Sequence, residues 1–145
     1  MTASFPSRGA RRLSRADYEL LAEFRYLLRR FLTFSEAAAR RAGLTPRQHQ
    51  ALLAIKGYPQ RQRVSVGELA ERLGLRHHSV VGLLDRLASR GLITRQASPA
   101  DRRQVLIELT GKAETALEDL ARAHRDELKR LAPLLRPLLE QFQHD

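Results

Sequence analysis

The stretch SVGELAERLGL (65–75), followed by RHHSVVGLLDRLASRGLI (76–93) and TRQASPADRRQVLIEL (94–109), reads as two short helices and a basic hairpin. Ser65 stands three residues before Glu68, so its hydroxyl can accept from the Glu68 N–H while the carboxylate reaches back to the cap. Val66, Leu69, Ala70 and Leu73 recur at helical spacing, and Gly74 supplies the left-handed conformation that ends a helix.

After Leu75 there is room only for a tight turn before a second helix, from His77 to about Arg90. Val80, Leu83, Leu84 and Leu87 share one face, whereas His78, Gly82, Arg86 and Ser89 fall opposite, with Ser79 and Val81 on the flanks. A solvated helix face normally carries Glu/Lys pairs. This one offers small or hydrogen-bonding groups and an arginine, which approach base edges and phosphates without bulk or repulsion. Gly91 closes the helix, and Leu92 to Ala97 and Gln104 to Leu109 read as two strands, the second alternating Val105, Ile107 and Leu109 against Leu106 and Glu108. The Ser98-Pro99-Ala100-Asp101 turn between them brings Arg102 and Arg103 to the tip. Asp101 and an arginine on an exposed loop ordinarily make a solvated ion pair. On a wing, the carboxylate instead braces the loop while an arginine enters a minor groove. The expected fold is therefore mainly α with a small β-hairpin wing, a winged helix-turn-helix over 45–109, and the expected partner is double-stranded DNA read in a sequence-specific way.

The run from Leu69 to Thr110, with LGLRHHSVVGLLDRLASRGLITR followed by DRR and LT, resembles the MarR family of bacterial transcriptional regulators. LTPRQHQALLAI (44–55) is similar to that family's helix before the DNA-reading pair, and long helices at both ends match its dimerisation region. The resemblance places His77 through Gly82 and Arg86 on the recognition helix and Asp101 and Arg103 in the wing motif. It departs at Arg76 and His77, where small polar residues or an arginine are commoner, and at Gly82, where an arginine is often found. Together, residues and resemblance nominate Ser65, His77, His78, Ser79, Val81, Gly82, Arg86, Arg95, Asp101, Arg102 and Arg103 as DNA-binding. The resemblance further implies a homodimeric repressor released by a small aromatic or otherwise largely apolar anion, wedged where the first long helix meets the Thr45 helix. Phe24, Phe31 and His49 are its candidate lining, His49 supplying a hydrogen-bonding group that can carry positive charge; packing in the core is their ordinary alternative.

A single domain is expected from 145 residues, with 43% hydrophobic residues sufficing for a compact core. A formal net charge of +10 favours a polyanionic partner. An anionic membrane surface fits less well, because no helix is basic on one side with a bulky aromatic edge. With no cysteine, neither a disulfide framework nor a thiol switch is available. No apolar run approaches a membrane span and MTASFPSRGARR has no signal-peptide core, so the cytoplasm is the expected compartment.

Along the chain, residues 1–12 read as a mobile basic arm, and 13–42 and 110–145 as dimerisation helices. Leu20, Leu21, Phe24, Leu27, Leu28, Phe31 and Leu32 form a broad apolar stripe on a helix from Ser14 to about Ala42. Thr45-Pro46-Arg47-Gln48 is a second capping box, opening a helix to about Lys56 that Gly57-Tyr58-Pro59 breaks. Thr110 caps another long helix, Pro133 is expected to bend or restart it, and Pro137 then suits a first turn. Leu134, Leu135, Leu138, Leu139 and Phe142 continue its apolar face. The terminal helices carry more apolar surface than one winged helix needs. An intramolecular helical layer would use some of it, and a partner chain accounts for it better. His124 and Glu127 share a helix face, read as a surface contact rather than half a metal site. No HExxH, GxSxG or glycine-rich phosphate loop supports an enzyme, a metal or a cofactor. The nearer alternative is a winged helix that binds protein, against which the arginines 86, 95, 102 and 103, taken to lie on one side, argue.

Overall fold

A computed structural model describes residues 12–143 of the chain; the expected arm at 1–12 falls outside them except for Arg12. Helix α1 spans Arg15–Arg41 and starts at a Ser14/Asp17 capping box, in which the Ser14 N–H donates to the Asp17 carboxylate at 2.7 Å. Helix α2, Pro46–Lys56, starts at the Thr45/Gln48 box with proline in its first turn. Strand β1 is Val64–Ser65, α3 is Val66–Leu73 and α4 is His77–Ser89. Strands β2 (Ile93–Ala97) and β3 (Val105–Leu109) form the hairpin, and α5 (Gly111–Gln141) completes the chain.

The turn between α3 and α4 depends on Gly74, whose φ of +63° is strained for any residue with a Cβ. It lets Leu75 N–H close back on the Ala70 carbonyl at 3.1 Å, so α4 starts without a long loop. The sheet is antiparallel with strand order β1-β3-β2. Val64 pairs with Ile107, and Ile93 through Ala97 pair with Leu109 back to Val105. Strand β1 is not legible in the sequence because two residues carry no alternation; Ser65 is both its end and the cap of α3. Of the residues expected to alternate inward on β3, only Ile107 is buried, and Val105 is 39% exposed at the wing end.

Leu52, Ile55, Leu69, Val80, Leu84, Leu87 and Ile107 form the centre of the core, joining α2, α3, α4 and the sheet. Helix α1 packs on α5, and both join the same core through Ala38, Ala39, Ala113, Leu117 and Leu120. One expectation for the terminal helices changes. Helix α5 does not restart at Pro133 but runs unbroken through both prolines. Both are exposed, so water can satisfy the carbonyls of Lys129 and Pro133 that lose their intrahelical N–H donors. The surplus apolar surface expected on these helices is visible on α1, where Leu27 is buried while Leu21, Leu28 and Leu32 remain over 40% exposed. No helix among the described residues is long and apolar enough to cross a membrane.

Candidate nucleic-acid interface

Helix α4 buries Val80, Leu83, Leu84 and Leu87 and turns the rest of its circumference outward. At 100° per residue, His78, Gly82, Asp85 and Ser89 point directly away from the core. His77 and Val81 lie on one flank, and Ser79 and Arg86 on the other. The first flank faces the wing across a groove of about 630 Å³ lined by Ser65, His77, Val81, Arg95, Asp101 and Arg103 among others. The second faces the opening turn of α2 across a cleft of about 400 Å³ lined by Thr45, Pro46, Arg47, Gln48, Ser79 and Arg86. The four arginines expected on one side are thus divided: Arg95 and Arg103 border the wing groove, Arg86 borders the opposite cleft, and Arg102 borders neither. The reason is angular, since Val81 and Arg86 are about 140° apart on the helix. His78 and Gly82 lie on the crest between the two clefts.

The wing holds its own shape. Ser98 N–H donates to the Gln104 carbonyl at 2.8 Å, and the Ser98 hydroxyl accepts from Ala100 N–H at 3.3 Å. Asp101 accepts from the Arg103 main-chain N–H at 3.0 Å and makes no ion pair with either neighbouring arginine. The carboxylate therefore fixes the turn, while the guanidinium groups of Arg102 and Arg103 have no partner among the described residues. Arg95 differs, donating to Asp85 at 2.5 Å. Sequence reasoning overlooked Asp85 on the outward face; its charge would repel a phosphate wall, and Arg95 offsets it from the neighbouring strand. Ser65 is 6% exposed, with its N–H donating to Glu68 at 3.1 Å and its hydroxyl accepting from Glu68 N–H at 3.2 Å. Burial opposes the charge on Glu68. The Ser65 main-chain N–H, the Tyr58 hydroxyl at 2.9 Å and the Arg61 guanidinium outweigh burial and hold its pKa down at about 2. This carboxylate anchors the Gly57–Arg63 loop to the start of α3.

The YcgE protein of Bacillus subtilis, described as an uncharacterized HTH-type transcriptional regulator, is 34% identical over 113 residues. The match covers 77% of this chain and 71% of that protein. The family model described as "MarR family" matches residues 42–104. The chain belongs to the MarR family. The same fold occurs in AbsC, a MarR family transcriptional regulator from Streptomyces coelicolor. AbsC has a TM-score of 0.69 and 17% identity, over 94% of this chain and 100% of that one. It occurs again in a mutant MarR from E. coli complexed with operator DNA. There the TM-score is 0.64 and the identity 21%, over 91% of this chain and 99% of that one.

In this MarR-family chain the apolar pocket is not built as the sequence implied. A cavity of about 520 Å³ lies where α1, α2 and α5 meet, lined by Phe31, His49, Leu53, Leu117, His124 and Leu128 with Arg125 and Lys129 at its edge. Phe24 does not line it, because it stands about two turns earlier on α1. His124 is no surface contact: its Nε2 is 2.7 Å from the Ser35 hydroxyl and its Nδ1 is 2.7 Å from the Leu120 carbonyl. Its ring also meets Phe31 and Phe34 edge-on and lies 4.9 Å from the His49 ring. Among the described residues, no group of three or more potential metal ligands is assembled.

His49 is 4% exposed. Burial, and then the neighbouring His124, push its pKa below the ordinary 6.5. The neutral form is thus favoured, and the cations able to meet an anionic ligand are Arg125 and Lys129 instead. A depressed histidine binds its proton later in the folded chain than in the unfolded one. Its contribution to stability is full above the unfolded pKa of about 6.5 and is lost as pH falls through the folded value. We expect the melting temperature to fall as pH is lowered from 7.5 toward 5, and His49→Gln to flatten part of that slope. An unchanged slope in the variant would show that His49 titrates alike in both states.

Proposed function

We propose that this MarR-family protein is a sequence-specific, double-stranded-DNA-binding transcriptional regulator in the cytoplasm, a repressor acting as a homodimer on a pseudo-palindromic operator. The observation that carries the reading is the groove between α4 and the wing, bordered by Arg103, whose guanidinium has no partner among the described residues, and by His77 and Val81. An α-helix with its side chains is about as wide as a B-DNA major groove, so α4 enters it crest first, presenting His78 and Gly82 to base edges. The wing then overhangs the adjacent minor groove with Arg102 and Arg103. Arg95 and Ser65 serve this surface indirectly, one by offsetting Asp85 and the other by fixing the start of α3. The operator complex of the E. coli relative supports the assignment by analogy.

Arg103→Ala should weaken binding to a selected duplex by about 1–3 kcal/mol and reduce the salt slope by about one unit. Anisotropy titrations at several salt concentrations test it. His78 substitutions should instead change the preferred bases in randomised-site selection. If no duplex is selected at all and binding is insensitive to salt, the protein-binding alternative takes over.

For release, the reading is that a small aromatic carboxylate enters the cavity between α1, α2 and α5 and pairs with Arg125 or Lys129, neither of which has an ion-pair partner among the described residues. It lowers DNA affinity only by binding one arrangement of the helices better than another. Salicylate titrated against the protein–DNA complex should release the DNA, and Arg125→Gln with Lys129→Gln should suppress release while leaving ligand-free binding intact. Release that persists in the double variant would place the anion elsewhere.

A further inference from the structure

We infer that the cleft between the opening turn of α2 and the recognition helix is a second grip on the DNA backbone, with Arg47 and Arg86 as its phosphate-binding groups. The inference rests on the DNA-binding reading; it adds Arg47, which the sequence pattern did not nominate, and gives Arg86 a phosphate-binding role beside it. A helix lying in a major groove has a phosphate wall on each side. The wing groove serves one wall. The other lies along the flank that carries Ser79 and Arg86, and the structure closes that flank with Thr45, Pro46 and Arg47.

Two features make these arginines available to a phosphate. Both side chains are exposed, and neither guanidinium has a hydrogen-bonding or ion-pair partner among the described residues, whereas those of Arg61, Arg63, Arg95 and Arg122 are all paired with carboxylates. Their spacing is also held by the chain. Gln48, 7% exposed, accepts from the Thr45 N–H at 3.1 Å and from the Arg90 guanidinium at 3.1 Å, which ties the first turn of α2 to the end of α4. Arg47, the residue next to Gln48, is thereby positioned relative to the reading helix, so little ordering is needed when it meets a phosphate. Because phosphates carry no sequence information, this grip strengthens binding without choosing bases.

The test compares Arg47→Gln, Arg47→Lys and Arg103→Ala with the wild type on two probes: a duplex selected by the wild type from a randomised pool, and an unrelated duplex of equal length. Arg47→Gln should weaken both by a similar factor, about tenfold at low salt, and lower the salt slope by about one unit. Arg47→Lys should keep the slope, the selected motif should not change, and Arg86→Gln should behave as Arg47→Gln does. Arg47 is exposed, so equal melting temperatures check that folding is intact. Unchanged affinity and slope in Arg47→Gln, with Arg103→Ala still impaired, would remove the second grip and leave the DNA reading standing. A shifted motif would make Arg47 a base contact and overturn the inference. Failure of the wild type to bind either probe would remove both.

Discussion

Deletion of Leu134 to Asp145 is expected to dissociate the proposed dimer at micromolar concentration and to lower affinity for a two-half-site duplex by about a hundredfold or more, the advantage that joining two binding units confers. The deleted segment carries Leu134, Leu139 and Phe142, each close to half exposed in the single chain. Tyr18, Leu21, Leu28 and Leu32 on α1 are comparably uncovered. In the proposed dimer, surface of that kind on two adjoining helices would be covered by a second copy related by a two-fold axis. Two recognition helices are then held at the separation of successive half-sites, about one turn of DNA. Binding to unrelated DNA should fall much less, because it does not require fixed spacing. Sedimentation of the truncated chain as a full dimer, with normal operator affinity, would contradict the arrangement.

Leu84→Ala is expected to cost about 2–5 kcal/mol of folding stability, the range for emptying a leucine-sized site in a packed core. Leu84 is 1% exposed, sits in the main core cluster and also borders the wing groove from beneath. Losing it removes the support under the recognition helix as well as apolar burial. Denaturant titration should show a lower midpoint at similar slope. A loss below about 0.5 kcal/mol would mean that neighbours collapse into the space.

The helices were legible because local chemistry agreed with pattern. Ser65 with Glu68, Thr45 with Gln48 and Gly74 each mark an end that the structure places at the same residue. Two-residue β1 left no periodic trace, and of the bend or restart expected at Pro133 the restart did not occur, because proline's penalty depends on whether the freed carbonyl meets water, which a sequence does not state. The wing groove followed from helix and hairpin together. Asp101 bracing its own loop followed too, but the pairing of Asp85 with Arg95 did not, because it is a contact between two elements. His124 was read as a surface contact and Arg47 was overlooked for the same reason, since each acquires its meaning from a helix distant in sequence.

The unbroken α5 has a mechanical consequence. Thr110, at its start, is tied to the end of α4 through the Gly91 carbonyl at 2.7 Å, and its far end carries the uncovered Leu139 and Phe142. Over 31 residues the helix is a rod of roughly 46 Å. A tilt of about 5° pivoting near one end displaces the other by about 4 Å at this length, close to the rise of one base pair. Had Pro133 split the rod, the joint would absorb such a tilt. Kept whole, in the proposed dimer it would act as a lever arm, turning a small change in helix packing into a misfit of one base-pair step along the DNA.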